Sequence, residues 1–377
     1  MVSVEYKKLG DIATYINGYA FKPEQRGSEG LPIIRIQDLT GNAYDLGYYN
    51  GDYPKKVELN DGDVLISWSA SLGVYLWNHG KALLNQHIFK VVFDKVEIDK
   101  FYFMYAVEYN LDKMSLKTHG ATMKHITKKD FDNVVIPYPD LDYQKEVAYR
   151  LTSLKGIIEK YQKQLDLLDE LVKARFVEMF GDLRINDKGW KYYKLDELTE
   201  LITDGEHATP KRTTHGIYLL SARNVLNHQL SLEDVDFIDC DEFDRISRRI
   251  IPKEGDVLIS CSGSIGRCCI VPKNIKFQMV RSIALLRFKS NINPVFAEYM
   301  ITSDYLQNQI NKSKTASSQA NLFQGKIKSL KGVVPPLELQ NQFASFVQEI
   351  DKSRSRIQKS LEASQELFDS LMQEYFG

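Results

Sequence analysis

The chain writes one long unit twice. Phe180-Gly181 and the terminal Phe376-Gly377 each close a run carrying Glu two residues earlier, and they lie 196 positions apart. The same offset of 196 separates Gln144 from Gln340, which follow the proline-bearing runs "VVIPYPDLDYQ" and "GVVPPLELQ". Further upstream "LNDGDVLISWSASLG" (59–73) pairs with "IPKEGDVLISCSGSIG" (251–266) at an offset of 193, sharing Gly-Asp-Val-Leu-Ile-Ser unbroken. Near the start "YKKLGDIATYINGYAF" answers "YYKLDELTELITDGEH" at 186. An offset that drifts so little over so long a span marks an internal repeat with insertions confined to loops.

Each copy has two textures. Its first part, 1–142 and again 183–338, sets Gly, Asp and Asn turns between short apolar runs such as "PIIRI", "DVLIS", "HIFKVVF" and "VVIP". Those runs read as strands, and "FYFMYAVEYNL" and "VFAEYMITSDYLQNQI" as helices among them, giving a mixed domain of ordinary size.

The remaining parts, 143–182 and 339–377, read as helices. Between Gln144 and Phe180 there is no proline and one glycine, Gly156. Apolar residues fall at Leu151, Leu154, Ile158, Tyr161, Leu165, Leu168, Val172 and Met179, a three–four spacing broken only at Arg175. The second helix repeats it at Val347, Ile350, Ile357, Leu361, Phe368, Leu371 and Tyr375, with breaks at Arg354 and Ser364. Such spacing is the seam of a coiled coil. Two amphipathic helices, each lying on its own domain, would carry a similar stripe. A helix of ~57 Å at 1.5 Å per residue is longer than one such domain can cover, so the helices are expected to pack on each other. The expected fold is α+β: two pseudo-twofold-related mixed α/β domains separated by a long antiparallel two-helix coiled coil.

The chain has 377 residues, 43% hydrophobic and 26% charged, enough for two substantial cores. No apolar run approaches membrane-spanning length and "MVSVEYKKLGD" has no hydrophobic signal core, so a cytoplasmic location without membrane contact is expected. Cys240, Cys261, Cys268 and Cys269 all fall in the second copy, and none forms Cys-x-x-Cys. That asymmetry argues against a disulfide framework or a metal site and for free thiols.

The order and duplication of these motifs resemble the specificity subunits of type I restriction-modification systems. The resemblance spans the whole chain: the two "GDVLIS" strands, "LLSARNV" (219–225), "NQHIF" (85–89), "SSQANL" (317–322), "PPLELQNQF" leading into the last helix, and "FGD" leaving the central one. It implies that the mixed domains are target-recognition domains, each reading one half of a split double-stranded DNA target. It further implies that the helices set the spacing and dock two methyltransferase subunits, with restriction subunits joining them. The first copy departs from the pattern at "GATMKHI" (120–126), where the second has "SSQANLF".

A net charge of −1 and a pI near 6.7 look wrong for neutralising phosphates, but the charge is unevenly distributed. "EDVDFIDCDEFD" (233–244) holds seven acidic side chains and no basic one, while "KHITKK" (124–129), "KR" (211–212) and "GKIKSLK" (325–331) carry no acid. Base readout needs two-pronged side chains, Arg for guanine and Asn or Gln for adenine. Candidates beside the repeated motifs are Asn85, Gln86, His87, Lys124, His125 and Lys128 in the first domain. In the second they are Lys211, Arg212, Arg223, Arg267, Arg281, Gln319, Asn321 and Lys326. Asp38 and Asn224 align at a strand end, where a turn role is expected, and Gly62-Asp63 and Gly255-Asp256 read as turns before a buried strand.

The chain has no GxxxxGK[ST], HExxH or GxSxG motif and no Asn-Pro-Pro-aromatic or Asp-Pro-Pro-aromatic stretch. No catalytic residue, cofactor or metal is therefore expected on it. S-adenosylmethionine, ATP and Mg belong, by the resemblance, to the partner subunits. A coiled-coil adaptor holding two protein ligands would use the same architecture, and a Cys-His hydrolase built on Cys261 is a further rival.

Overall fold

The structure, a computed structural model, describes residues 5–42, 45–117, 126–312 and 321–377. Both copies contain a four-stranded antiparallel sheet of the same order. In the first it runs Thr14–Asn17, Ile88–Val92, Val64–Ser67, Gly73–Leu76. In the second it runs Thr199–Asp204, Ile283–Phe288, Val257–Ser260, Cys268–Ile270. A smaller mixed sheet lies beside each and contains one parallel pair: Leu31–Ile34 with Ala82–Leu84, and Ile217–Leu220 with Phe277–Met279. A two-stranded ribbon, Glu5–Lys8 with Val135–Tyr138 or Tyr192–Lys194 with Lys331–Val333, completes each set.

The shared "VLIS" run explains the double layer. All four of its residues are buried in both copies. Because side chains alternate across a strand, Val64 and Ile66 enter one core and Leu65 another, just as Val257 and Ile259 part from Leu258. A strand clamped on both faces reads as an unbroken apolar run. The turn before it follows expectation: Gly62 and Gly255 have φ of 90° and 82°. Asp63 and Asp256 accept hydrogen bonds at 2.8 Å from the backbone N–H groups of Asn60 and Lys253. The second copy is the longer, carrying the hairpin Val225–Leu226/Gln229–Leu230 and the helix Cys240–Ser247 before this strand.

The two long helices are Leu141–Phe180 and Leu337–Phe376, 40 residues each and 196 apart at both ends. Gln144 and Gln340 anchor their starts, 1% and 0% exposed. Each accepts a hydrogen bond from the backbone N–H before the neighbouring helix, Asp99 at 2.9 Å or Asn293 at 2.8 Å, and donates to Pro139 or Pro335 at 2.8 Å. A buried amide with donor and acceptor both satisfied is a specific clamp.

The chain divides into two compact units, Met1–Lys163 with Gln358–Gly377, and Gln164–Ile357. Each unit contains one mixed domain, the first part of the helix that follows it and the last part of the other helix. In the first unit Val147 and Leu151 share a core with Met372 and Phe376, and Phe376 lies 5.2 Å from Tyr102 between ring centroids. In the second Val172, Phe176 and Phe180 share a core with Phe343 and Val347, with Phe180 4.7 Å from Phe296. The helices therefore pack antiparallel.

Along the stripe Leu151, Leu154, Leu165, Val172 and Val347 are buried. Ile158, Tyr161, Leu168, Ile350, Ile357, Leu361, Phe368 and Leu371 are half-buried. Two of its breaks are polar contacts: Arg354 pairs with Asp169 at 2.5 Å, and the Arg175 guanidinium lies 5.8 Å over the Phe346 ring. Among the described residues no helix is long and apolar enough to cross a membrane.

Candidate nucleic-acid interface

In each unit the chain leaving the first sheet strand crosses to the smaller sheet through the same set of main-chain bonds. In the first unit Tyr19 donates its N–H to the Leu84 carbonyl at 2.8 Å, Gln86 donates to Tyr19 at 3.0 Å and Asn85 to Ile34 at 3.0 Å. In the second Glu206 donates to Met279 at 2.8 Å, Arg281 to Glu206 at 3.0 Å and Val280 to Leu220 at 2.9 Å. The crossing is so close that only glycine fits before it. A Cβ on Gly18 would sit 1.9 Å from the Asn85 oxygen, and one on Gly205 2.3 Å from that of Met279. Asn85, Gln86 and His87 are thus register-equivalent to Val280, Arg281 and Ser282. Two of the candidates, Gln86 and Arg281, occupy one position, and both are exposed.

Around Gln86 the surface is polar and aromatic. Asn85 is buried, and its Oδ1 has no partner among the described residues; the same holds for His87 Nδ1. His87 has φ 72° and its ring lies 5.0 Å from that of Trp68, while Tyr19, Phe21 and Tyr49 form a chain of edge contacts at 4.9 and 5.1 Å. Lys128 is exposed at the start of the helix Lys128–Asp132, capped by Thr127. Lys124 and His125 lie outside the described residues.

Around Arg281 there is a cleft of about 320 Å³ lined by Glu206, His207, Thr209, Arg212 and Ser282 as well as Arg281 itself. Part of the acidic run, counted above as separate from the basic clusters, is folded onto the pair at 211–212 and onto Arg223. Asp236 pairs with Arg212 at 3.0 Å and with Arg223 at 3.2 Å, Asp234 also holds Arg223, and Glu242 accepts the Lys211 N–H at 3.1 Å. At Arg212 and Arg223 the expected charge segregation is internal neutralisation. Arg267 is half-buried in the hairpin beside Ser260, and Asn321 bridges Ser262. Lys326 is exposed near Phe323, itself 62% exposed. Gln319 lies outside the described residues.

The profile of the type I restriction modification DNA specificity domain matches this chain twice, at residues 1–168 and 187–365. The chain belongs to that family. It is a DNA-specificity subunit of a type I restriction-modification system, and the catalytic activities of such systems reside in other subunits. Similar chains include the EcoBI specificity subunit of Escherichia coli, 23% identical over 384 residues that span 94% of this chain and 80% of that one. The MjaVIII specificity subunit of Methanocaldococcus jannaschii is 22% identical over 385 residues, spanning 94% and 89%. Among solved structures, the type I system S subunit from M. genitalium superposes with a TM-score of 0.60 at 14% identity, covering 100% of this chain and 96% of that one. A chain from a study of type I complex assembly and conformational transition gives 0.56 at 14%, covering 99% and 97%. At that identity they show the shared fold.

Within this specificity subunit two smaller expectations can be placed. Asp38 Oδ2 accepts the Arg35 N–H at 2.8 Å and Asn224 Oδ1 the Ser221 N–H at 2.9 Å, so both hold turns. Cys261 is buried and its thiol is pushed up to about 12 by that burial, the opposite of an activated nucleophile. Sequence reasoning missed Tyr19 and Glu206, the residues on which the crossing hinges. Their one signal is the glycine before each, in "NGYAF" and "DGEHA".

Proposed function

We propose that each unit reads one half of a bipartite double-stranded DNA target, through domains 1–142 and 183–338, while helices 143–182 and 339–377 fix the distance between the halves. Reading directs adenine methylation and cleavage by partners: two methyltransferase subunits using S-adenosylmethionine and restriction subunits using ATP and Mg, in the cytoplasm. The observation that carries this is a main-chain crossing built identically in both units yet carrying different exposed side chains, Gln86 in one and Arg281 in the other. Repeated scaffolding with divergent tips suits two half-sites of different sequence.

The test is a chimera in which residues 1–142 are exchanged for the matching domain of another specificity subunit. Mapping of methylated adenines should show one half-site replaced and the other intact; alteration of both would refute independent reading. Binding should also weaken steeply with salt, because phosphate contacts release counterions. Affinity flat in salt would favour the adaptor that holds protein ligands.

A further inference from the structure

We infer that Gln86 and Arg281 are matched specificity determinants, Gln86 selecting an A·T pair in one half-site and Arg281 a G·C pair in the other. The inference rests on the DNA-reading function proposed above and names the bases that the crossing recognises.

A base reader must be exposed, rigidly presented and not already paired with the protein's own acids. Most arginines of the second unit fail the last condition. Arg212 and Arg223 are held by Asp236, Arg245 by Glu242, Arg249 by Asp204 and Arg287 by Asp256, all within 3.2 Å. The Arg281 guanidinium has no ion pair among the described residues, is exposed and opens onto the cleft. Its backbone is fixed by the bond to Glu206, and Ser282 beside it accepts the Ala222 N–H through Oγ at 3.0 Å.

Gln86 meets the same conditions in the same frame, exposed and with its backbone bonded to Tyr19. Its neighbours present two buried polar atoms, Asn85 Oδ1 and His87 Nδ1, without partners among the described residues, where the second unit has Val280 and a satisfied Ser282. The first tip therefore exposes an amide and the second a guanidinium. A glutamine amide offers one donor and one acceptor, which match N7 and the N6 amino group of adenine. The arginine fork offers two donors, which match O6 and N7 of guanine.

The test is selection from a random-sequence duplex DNA pool by the full chain with its methyltransferase subunits, comparing wild type with Arg281→Gln and Gln86→Arg. Arg281→Gln should convert one G·C position to A·T in one half-site only, and Gln86→Arg should convert one A·T position to G·C in the other. The preference reversed at each should be roughly 5- to 150-fold, the range of one bidentate contact. A wild-type motif that neither substitution alters overturns the assignment and leaves DNA reading standing. Absence of any bipartite motif from the wild type overturns DNA reading itself. If an exchanged side chain abolishes selection, Arg281→Ala and Gln86→Ala decide: relaxation at one position supports the assignment, and an unchanged preference there overturns it.

Discussion

Set side by side, the two units agree where the main chain is bonded to itself and diverge where side chains reach outward or fill a single core position. Gln144 and Gln340 make the same clamp, Ser67 and Ser260 close the same hairpin through Oγ, and Gly18 and Gly205 permit the same crossing. Against this, Gln86 stands where the other unit has Arg281, and Met104 where it has Glu298, one position before Tyr105 and Tyr299 in equivalent helices. A frame held by backbone bonds and buried amides is indifferent to what its rim displays. That separates stability from specificity within each unit.

The largest effect should come from the repeated phenylalanines, which end each helix inside the unit formed around the other domain. Phe180→Ala is expected to destabilise the second unit by about 3–5 kcal/mol and Phe376→Ala the first by a similar amount. The three tryptophans report the units separately. Trp190 donates its Nε1–H to the Phe180 carbonyl at 2.8 Å, while Trp68 and Trp77 pack in the first unit. Denaturant unfolding followed by tryptophan fluorescence, with each tryptophan retained in turn, should therefore show the Phe376→Ala loss at Trp68 and Trp77 and little at Trp190. Equal loss at all three would erase the distinction between the units.

The clamp should come next. Gln144→Leu and Gln340→Leu keep the side-chain bulk but strand a buried N–H and a buried carbonyl, which costs about 1–3 kcal/mol. Gln340 should be the more costly, since its Nε2 also reaches the Asn291 carbonyl at 3.3 Å. Unfolding midpoints that move in only one of the two variants would mean that the matching geometry does not carry matching energy.

The parts of this comparison legible in the sequence are the local ones. The offset of the repeat, the three–four stripe and the burial of the "VLIS" strand all follow from the order of residues along the chain. The rest depends on contacts between distant segments. Asp236 neutralises Arg212 from 24 residues away, so a charge count by windows separates what the fold joins. "NQHIF" and "VRSIA" share only the isoleucine that enters the sheet, Ile88 and Ile283, and nothing local reveals that Gln86 and Arg281 coincide. Arg354 and Arg175, seen as interruptions of the stripe, are partners of Asp169 and Phe346 on the facing helix.

The smallest effect concerns a buried carboxylate, Glu298, that stands where the first unit has Met104. Glu298 is 5% exposed on the helix Pro294–Thr302, and burial raises its pKa above the ordinary value, an effect opposed by His228, whose Nδ1 lies 3.4 Å away. Asp351 faces the same cluster, raised by burial and opposed by Arg354, with Asp169 adding negative charge. A carboxyl whose folded-state pKa exceeds its unfolded value binds its proton more tightly when folded. Its favourable contribution is present below the ordinary carboxylate range and is lost as pH rises through the folded value. The second unit should therefore lose stability relative to the first as pH climbs from about 4 towards neutrality, since Met104 cannot titrate. Glu298→Met, which installs the residue of the first unit, should flatten the pH dependence of unfolding seen at Trp190 without changing that at Trp68 and Trp77. A Trp190 transition equally steep in pH after the substitution would assign the dependence to Asp351 and its arginine instead of to the mismatch.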